Sequence, residues 1–330
     1  MRIGLLTGGG DCPGLNAAIR AIVRNASNSG DEIVGFRHGW RGVVEGDGGL
    51  LTNERTRGIL QTGGTILGTA RYHPDEHEGG VRGVLETVER EGLDGIIVIG
   101  GDGTLTSALS IAEAGVQIVG VPKTIDNDVT GTDSCIGFAT AVETAAEAID
   151  RVHTTGESHD RLMVVEVMGR TAGWLALCSG VAAGADAICI PEEPTRLEKL
   201  ASRLRKRHDS GSNSSIVVVA EGALFENGLI ADQGSVGARV AASLEALTGF
   251  ETRLTVLGHV QRGGSPTASD RFLATRLGIE AFDIAHAGGP SALVASISEQ
   301  TTSLPLVTVA AGPRPVPKSY IDMARRLTTL

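Results

Sequence analysis

Pro122-Lys123-Thr124-Ile125-Asp126-Asn127-Asp128 gathers two carboxylates, an amide, a hydroxyl and an ammonium into one short stretch. It follows the apolar run Gln117–Val121, which reads as a buried strand, so these groups stand where a parallel sheet opens its ligand crevice. If the stretch is extended, Asp126 and Asp128 project to one side. One can then take a substrate proton while the other shapes the field around it or holds a metal-bound water. The same residues also suit an Asx-rich turn, because Asp and Asn cap and turn the backbone readily. Taken alone, the stretch leaves both readings open.

Three further segments carry related signals. Gly8-Gly9-Gly10-Asp11-Cys12-Pro13-Gly14 lies between an opening strand, Met1–Thr7, and a helix expected over Leu15–Ser27, whose apolar residues are Leu15, Ala18, Ile19, Ile22 and Val23. A glycine loop there lets backbone N–H groups approach an oxyanion at the helix's positive end. It is not a Walker loop, since no Gly-Lys-Ser/Thr follows, nor the dinucleotide fingerprint, since Pro13 stands where the third glycine belongs. A tight turn needing glycine for geometry alone is the other reading. Gly100-Gly101-Asp102-Gly103-Thr104 follows the buried run Gly95–Ile99 and opens a helix near Leu105. Its glycines clear space for a polyphosphate, Thr104 can donate to it, and Asp102 can hold Mg²⁺ through water. Gly63–Tyr72 is a Gly/Thr-rich turn in which Arg71 offers a guanidinium fork to phosphoryl oxygens and Tyr72 a face to a flat ring. His73 and His77 have a spacing that superficially suggests a metal, but Pro74 between them and Gly79-Gly80 after them favour a solvated loop.

Later in the chain, polar clusters repeatedly sit just past a strand. Met168-Gly169-Arg170 follows Leu162–Val167, Glu221-Gly222 follows Ile216–Ala220, and Gly258–Gly264 follows Arg253–Leu257. That regularity is expected of a doubly wound α/β protein with ligands at its crevices. Arg170, Arg253 and Arg262 have glycines nearby, which points to backbone shaped around a ligand; ordinary surface arginines are the alternative. A carboxylate at Glu221, directly after an apolar run, is costly to bury unless paired, either with sugar hydroxyls or with its neighbours.

These elements need a large scaffold, and 330 residues suggest two domains, each with its own core. Phe138, Ala141, Val142, Ala145, Ile149 and Val152 mark one face of a long helix expected to bridge them. A net charge of −10 disfavours a broad nucleic-acid or anionic-membrane surface, and an aromatic share of 3% weakens the case for a base-stacking platform. No run of eighteen apolar residues occurs, and the chain opens on a strand, so a cytoplasmic protein is expected. Cys12, Cys135, Cys178 and Cys189 lack metal-ligand spacing, which suits a reducing compartment and argues against a zinc site or disulfide framework.

Together the segments Leu6–Arg20, Gly100–Thr104, Pro122–Asp128, Val165–Arg170 and Val256–Gly264 resemble the signature segments of the 6-phosphofructokinase family, in family order and spacing across nearly the whole chain. The resemblance implies two Rossmann-like doubly wound α/β domains with chain crossings. A larger nucleotide- and Mg²⁺-binding domain would comprise 1–137 plus 251–303, and a smaller sugar-phosphate-binding domain 138–250 plus 304–330. It implies Mg²⁺ as cofactor, fructose 6-phosphate in the cleft and a homotetramer. Asp126 would take the proton of the sugar 1-hydroxyl, with Asp128 and Asp102 supporting the metal side and Asp102 as the metal residue. Gly10, Arg71, Thr124 and Arg170 would hold the migrating phosphoryl charge. Thr124, Ile125, Asp126, Met168, Gly169, Arg170, Glu221, His259, Val260, Gln261 and Arg262 would line the sugar phosphate, with Arg161 and Arg253 reaching a neighbouring subunit's site. Gly10, Arg71, Tyr72, Asp102, Gly103, Thr104, Ser107 and Lys123 would meet the donor.

Departures from the family pattern bear on the donor. Lys123 resembles the pyrophosphate-dependent branch, whereas Gly103 resembles the ATP branch, since the pyrophosphate enzymes place aspartate there against the α-phosphate. A missing obstacle permits ATP, while a lysine only adds attraction to a phosphate. ATP is therefore the expected donor, with pyrophosphate or a related sugar-phosphate acceptor as the alternative and a non-catalytic sensor more remote. GGDGT alone also suits lipid and NAD kinases, but neither needs Pro122–Asp128 together with His259 and Arg262. Glu76 replaces an adenine-side arginine. Arg20 and Arg24 match effector-site arginines, but Asn53 and His153 replace others, so little response to phosphoenolpyruvate is expected.

Overall fold

The computed structural model describes residues 1–226 and 234–328. The chain divides into two compact units, Met1–Thr140 with Arg262–Pro313, and Ala141–Gln261 with Arg314–Leu330. Among the described residues the first unit builds a seven-stranded sheet and the second a four-stranded one. No helix among them is long and apolar enough to cross a membrane.

In the first unit the strands are β1 (Arg2–Thr7), β2 (Glu32–Phe36), β3 (Gly48–Leu51), β4 (Gly95–Gly100), β5 (Ile118–Pro122), β10 (Ala292–Ile297) and β11 (Gln300–Pro305), in the order β11-β10-β5-β4-β1-β2-β3. The central strands pair in parallel and are buried along almost their whole length, which is why they read as continuous apolar runs rather than alternating ones. Antiparallel β3 and β11 close the two edges. The helices are α1 (Leu15–Ser29), α2 (Trp40–Glu45), α3 (Gly80–Glu91), α4 (Asp102–Glu113) and α9 (Ala268–Ala287). One core cluster joins Leu6, Phe36, Trp40, Val98, Leu105 and Leu293, and the indole N–H of Trp40 donates to the Thr104 carbonyl at 3.1 Å.

The second unit holds β6 (Leu162–Val167), β7 (Ala187–Cys189), β8 (Ser215–Ala220) and β9 (Thr252–Val256), all parallel in the order β7-β8-β6-β9. Its helices are α6 (Trp174–Ala182), α7 (Leu197–Asp209), α8 (Val236–Thr248) and α10 (Lys318–Leu327). The unit boundary falls within the first turn of α5 (Phe138–Ser158), whose Ala141, Ala145 and Ile149 are fully buried.

Three boundaries differ from those expected, the first by only three residues, 138–140, which stay with the first unit. Residues 251–261 join the second unit because β9 pairs with β6 from Leu162↔Thr252 to Glu166↔Val256. Residues 304–313 stay with the first because β11 completes a hairpin with β10, turned by Ser298 and Glu299, both at positive φ.

Candidate functional site

In the first unit three strand ends deliver the polar groups side by side, in the sheet order β5-β4-β1. The Gly8 N–H donates to the Ile99 carbonyl at 3.0 Å, and the Lys123 N–H to the Gly100 carbonyl at 2.9 Å. Both glycine turns close on Thr104: a Cβ on Gly8 or on Gly100 would sit 2.5 Å from that side chain. Glycine is therefore a packing requirement here, and Thr104, 5% exposed, is the wedge that sets the distance between the turns rather than an open donor to a ligand.

The stretch after β5 is not extended. It turns at Ile125–Asp126, the Thr124 hydroxyl accepts the Asp126 N–H at 3.1 Å, and Asn127 is left-handed with φ 53°. Asn127 tolerates that conformation and is fixed in it, donating to the Asp133 carbonyl at 3.1 Å and accepting from the Cys135 N–H at 2.9 Å. The turn reading therefore describes the backbone, and the same-side projection of Asp126 and Asp128 expected from an extended strand does not apply. Both carboxylates are 4% exposed. Carboxylates that close to burial demand compensation and are poor choices for a merely solvated turn.

Lys123 is 2% exposed, and its ammonium donates to the Gly8 carbonyl at 2.7 Å and the Gly10 carbonyl at 2.6 Å. Burial pushes its pKa down. The lysine expected as a donor ligand thus also ties the glycine loop. Arg262, expected at the sugar phosphate, lies against Gly10, where a Cβ would meet its Nη1 at 2.1 Å. Cys12 is buried and donates to the Ile136 carbonyl at 3.3 Å; burial drives its thiol pKa far up, so this loop cysteine is held as an unreactive thiol.

Residues of the 63–73 turn reach the same loop. Thr69 donates to the Gly9 carbonyl at 2.6 Å, and the Gly9 N–H donates to the Ala70 carbonyl at 3.2 Å. Arg71 follows, exposed and without an ion pair among the described residues. One face of Tyr72 is already covered by His77, with ring centroids 4.2 Å apart. His73, set aside in the sequence as loop, is tied through Nδ1 to the Ser107 hydroxyl at 2.8 Å, and its ring stands over Gly103, where a Cβ would meet Cε1 at 3.0 Å. Nothing local in the sequence signals this, because Ser107 is thirty-four residues away.

Asp102 opens α4 at the helix's positive end. No group of three or more His, Cys, Asp or Glu placed to hold a metal exists among the described residues. A single carboxylate fits Mg²⁺, which keeps waters and takes its other oxygens from substrate phosphates, and does not fit a cation that needs a full protein cage.

The second unit gathers the remaining residues at the carboxyl ends of β6, β8 and β9. Arg170 is left-handed, φ 51°, and its N–H donates to the Glu221 carboxylate at 2.8 Å; the Glu221 N–H donates to the Val167 carbonyl at 2.8 Å. Glu221 is thus held by its neighbours, and its carboxylate is what keeps Arg170 in a strained turn. Gln261 is fully buried. It accepts from the Met168 N–H at 3.4 Å and donates to the Gly258 carbonyl at 2.9 Å, so it braces the turn instead of facing a ligand. That turn, Gly258–Arg262, leaves His259 and Val260 exposed, while Met168 and Gly169 are buried; in the first unit, Ile125 is buried.

Arg161 and Arg253 lie elsewhere, at the amino ends of β6 and β9, where both grip Glu251, Arg161 at 2.9 Å. A six-residue strand places them about 20 Å from the carboxyl-end cluster. The Arg161 hydrogen bond, then the two guanidinium charges, hold the Glu251 carboxyl below the ordinary range.

A family model described as "Phosphofructokinase" matches residues 2–285. The chain is 47% identical over 338 residues to an ATP-dependent 6-phosphofructokinase of Mycobacterium leprae, covering 98% of each. It is 48% identical over 325 residues to a pyrophosphate–fructose 6-phosphate 1-phosphotransferase of Streptomyces coelicolor, covering 94% of this chain and 95% of that one. Among solved structures it is similar to phosphofructokinase from Saccharomyces cerevisiae, with a TM-score of 0.85 and 35% identity, covering 99% of this chain but 47% of the yeast chain.

Proposed function

Since this chain belongs to the phosphofructokinase family, we propose that it transfers the terminal phosphoryl group of ATP to the 1-hydroxyl of fructose 6-phosphate, giving fructose 1,6-bisphosphate. The observation that carries the reading is the convergence in the first unit of two glycine turns on Thr104, with Asp126 and Asp128 buried on the adjoining strand end. In this reading Asp126 accepts the proton of the attacking hydroxyl. The Thr124 hydroxyl, by accepting the Asp126 N–H, fixes the turn that aims it.

Gly10, Arg71 and Arg170 take the charge of the moving phosphoryl group, which phosphoryl transfer stabilises mainly by positioning and electrostatics. Asp102, seconded by Asp128, would hold Mg²⁺, which when bound neutralises donor phosphate charge. Gly103, Ser107, Tyr72 and His73 meet the donor. Met168, Gly169, Glu221 and His259 meet the sugar, and Arg262 leaves Gly10 to take the 6-phosphate. We place the enzyme in the cytoplasm as a homotetramer, in which Arg161 and Arg253, far from their own carboxyl-end cluster, serve a neighbour's 6-phosphate. Asn53 bonds Ser27 at 2.8 Å instead of offering a charge, so phosphoenolpyruvate shifts the fructose 6-phosphate saturation curve weakly or not at all.

Pyrophosphate is the second reading, favoured by Lys123 and by the name of the Streptomyces relative. Against it stands the use of the Lys123 ammonium on two loop carbonyls. The deciding experiment measures fructose 1,6-bisphosphate formation with ATP and pyrophosphate in separate reactions. Turnover with ATP alone is expected; turnover with pyrophosphate alone would assign the donor choice to Lys123, and none with either would leave a sensor.

A further inference from the structure

Asp270 belongs to none of the groups above. It lies in the first turn of α9, has 0% exposure, and follows Thr267, whose hydroxyl caps that helix by accepting the Asp270 N–H at 3.2 Å. Its carboxylate faces away from its own helix. Oδ1 accepts the Gly137 N–H at 2.9 Å, and Oδ2 accepts both the Thr140 N–H at 2.7 Å and the Thr140 hydroxyl at 2.6 Å. The two N–H groups are orphans at the start of α5, which a buried carboxylate satisfies while meeting the positive end of the helix. Burial pushes this carboxyl's pKa up, and the Thr140 and Gly137 bonds pull it back. A carboxylate with three donors and no exposure is expensive to assemble.

What Asp270 holds next is Ile136. The residue bonded to Gly137 donates its N–H to the Pro122 carbonyl and accepts at its own carbonyl from the Thr124 N–H, each at 3.1 Å. Cys12 of the glycine loop donates to that same carbonyl at 3.3 Å. Thr124 in turn accepts the Asp126 N–H at 3.1 Å. A continuous path thus runs from the Asp270 carboxylate through Gly137–Ile136 and Thr124 to Asp126, and branches to the glycine loop, entirely within the first unit.

We propose that Asp270 is the positioning residue for the phosphoryl-transfer base: it fixes the 134–140 segment, and through the Ile136 carbonyl sets the register of the Thr124–Asp126 turn and of the glycine loop. This rests on the reading of Asp126 as base. Asp270 touches neither substrate, so its loss misaims the base while the binding residues remain. Misplacement of about 1 Å can cost up to two orders of magnitude in rate, and an indirect link of this kind is expected to cost about tenfold in kcat, with KM for both substrates within about twofold.

The test uses the full chain as Asp270→Asn, with Thr140→Val as a milder variant should Asp270→Asn fail to fold; it removes one of the three donors to Asp270 and, with it, the acceptor of the Thr267 N–H. Two readouts are taken: kcat per folded active site, and amide hydrogen exchange over 122–137. Expected are a kcat loss of about tenfold for Asp270→Asn and about twofold for Thr140→Val, both with faster exchange over 122–137 and unchanged exchange over β4. In a Thr124→Val background the Asp270→Asn loss should shrink to under about threefold, since both act along one path. A lowered melting temperature with kcat per folded site and 122–137 exchange unchanged would overturn the proposal, as would a full tenfold loss added on top of Thr124→Val. A wild-type chain with no turnover would instead sink the reading of Asp126, while the exchange data would still decide whether Asp270 holds the segment.

Discussion

Several charged groups of the candidate site differ in setting between the two units. In the first, Lys123, Asp126, Asp128 and Asp270 are all at or below 4% exposure, and Lys123 and Asp270 are tied to main-chain carbonyls or N–H groups at 2.6–2.9 Å. In the second, Arg170, Arg253 and His259 are exposed and are held by few contacts, among them the Arg170 N–H bond to Glu221 and the Arg253 pair with Glu251. Buried, fixed dipoles need no reorganisation when charge develops, which is what a transferring phosphoryl group asks of its surroundings. Exposed side chains can adapt to a sugar phosphate and release it. Substitutions of the candidate base and the groups that aim it, in the first unit, should therefore act mainly on kcat, and those of the exposed groups in the second mainly on KM for fructose 6-phosphate.

The sharpest way to break this contrast is Asp126→Asn. The amide keeps the size and the Asp126 N–H bond to Thr124 but cannot accept the hydroxyl proton, so kcat should fall by about 10²–10⁴-fold. Calorimetry should show fructose 6-phosphate binding close to wild type. Retained turnover would remove Asp126 from the chemistry, and lost binding would show that the first unit does not keep catalysis apart from affinity.

Glu221→Ala probes the other side. Without its carboxylate the Arg170 N–H loses its partner and the left-handed turn loses its support. KM for fructose 6-phosphate should rise about tenfold, a loss of roughly 1.4 kcal/mol, in line with a hydrogen bond to a charged group. Glu221→Gln keeps an acceptor oxygen and should recover most of it. A fall in kcat as large as the rise in KM would mean that the turn also sets how Arg170 meets the moving phosphoryl group, and so would blur the division between the two units.

These contrasts were only partly legible in the sequence. The apolar runs of β1, β4 and β5 announce buried parallel strands, and the polar groups just past them announce the crevice, because both signals are local. Asp270 was invisible: it sits in an ordinary helix start after Thr267, and its partners Gly137 and Thr140 are 133 and 130 residues away. The brace made by Gln261 and the tie of His73 to Ser107 were illegible for the same reason, since a brace and a ligand need the same amide or imidazole and differ only in what the fold brings near. The unit boundary at β9 was missed because Thr252–Val256 is largely exposed, and its membership depends on pairing with β6 rather than on its own composition.

Lys123→Met sharpens the comparison within the first unit. The ammonium's removal leaves the Gly8 and Gly10 carbonyls without that donor and relieves the desolvation of a buried cation, two effects of opposite sign on stability. The net change in melting temperature should therefore be small. The loosened glycine loop should raise KM for ATP about fivefold, roughly 1 kcal/mol, without creating turnover with pyrophosphate. A gain of pyrophosphate turnover on losing the lysine would contradict both donor readings, and an unchanged KM would show that the loop holds its shape without it.

The smallest effect belongs to Glu251, at the far end of the second unit's sheet from Glu221. Its pairs with Arg161 and Arg253 are partly exposed and open to screening, so Glu251→Gln should move the melting temperature at pH 7 by only about 1 °C. The sign of its pH dependence is fixed by the depressed folded-state pKa. Above the ordinary value of 4.5 the carboxylate is ionised in both folded and unfolded chains and the pairing is intact. As pH falls below that value the unfolded chain binds the proton first, so the contribution fades and the variant and wild-type melting curves should merge. A larger difference at pH 7, or one that persists in acid, would mean that the arginine pair supports the second unit's core. The expected pattern would leave Arg161 and Arg253 able to exchange Glu251 for a phosphate, as the role proposed for them at a neighbouring subunit's site requires.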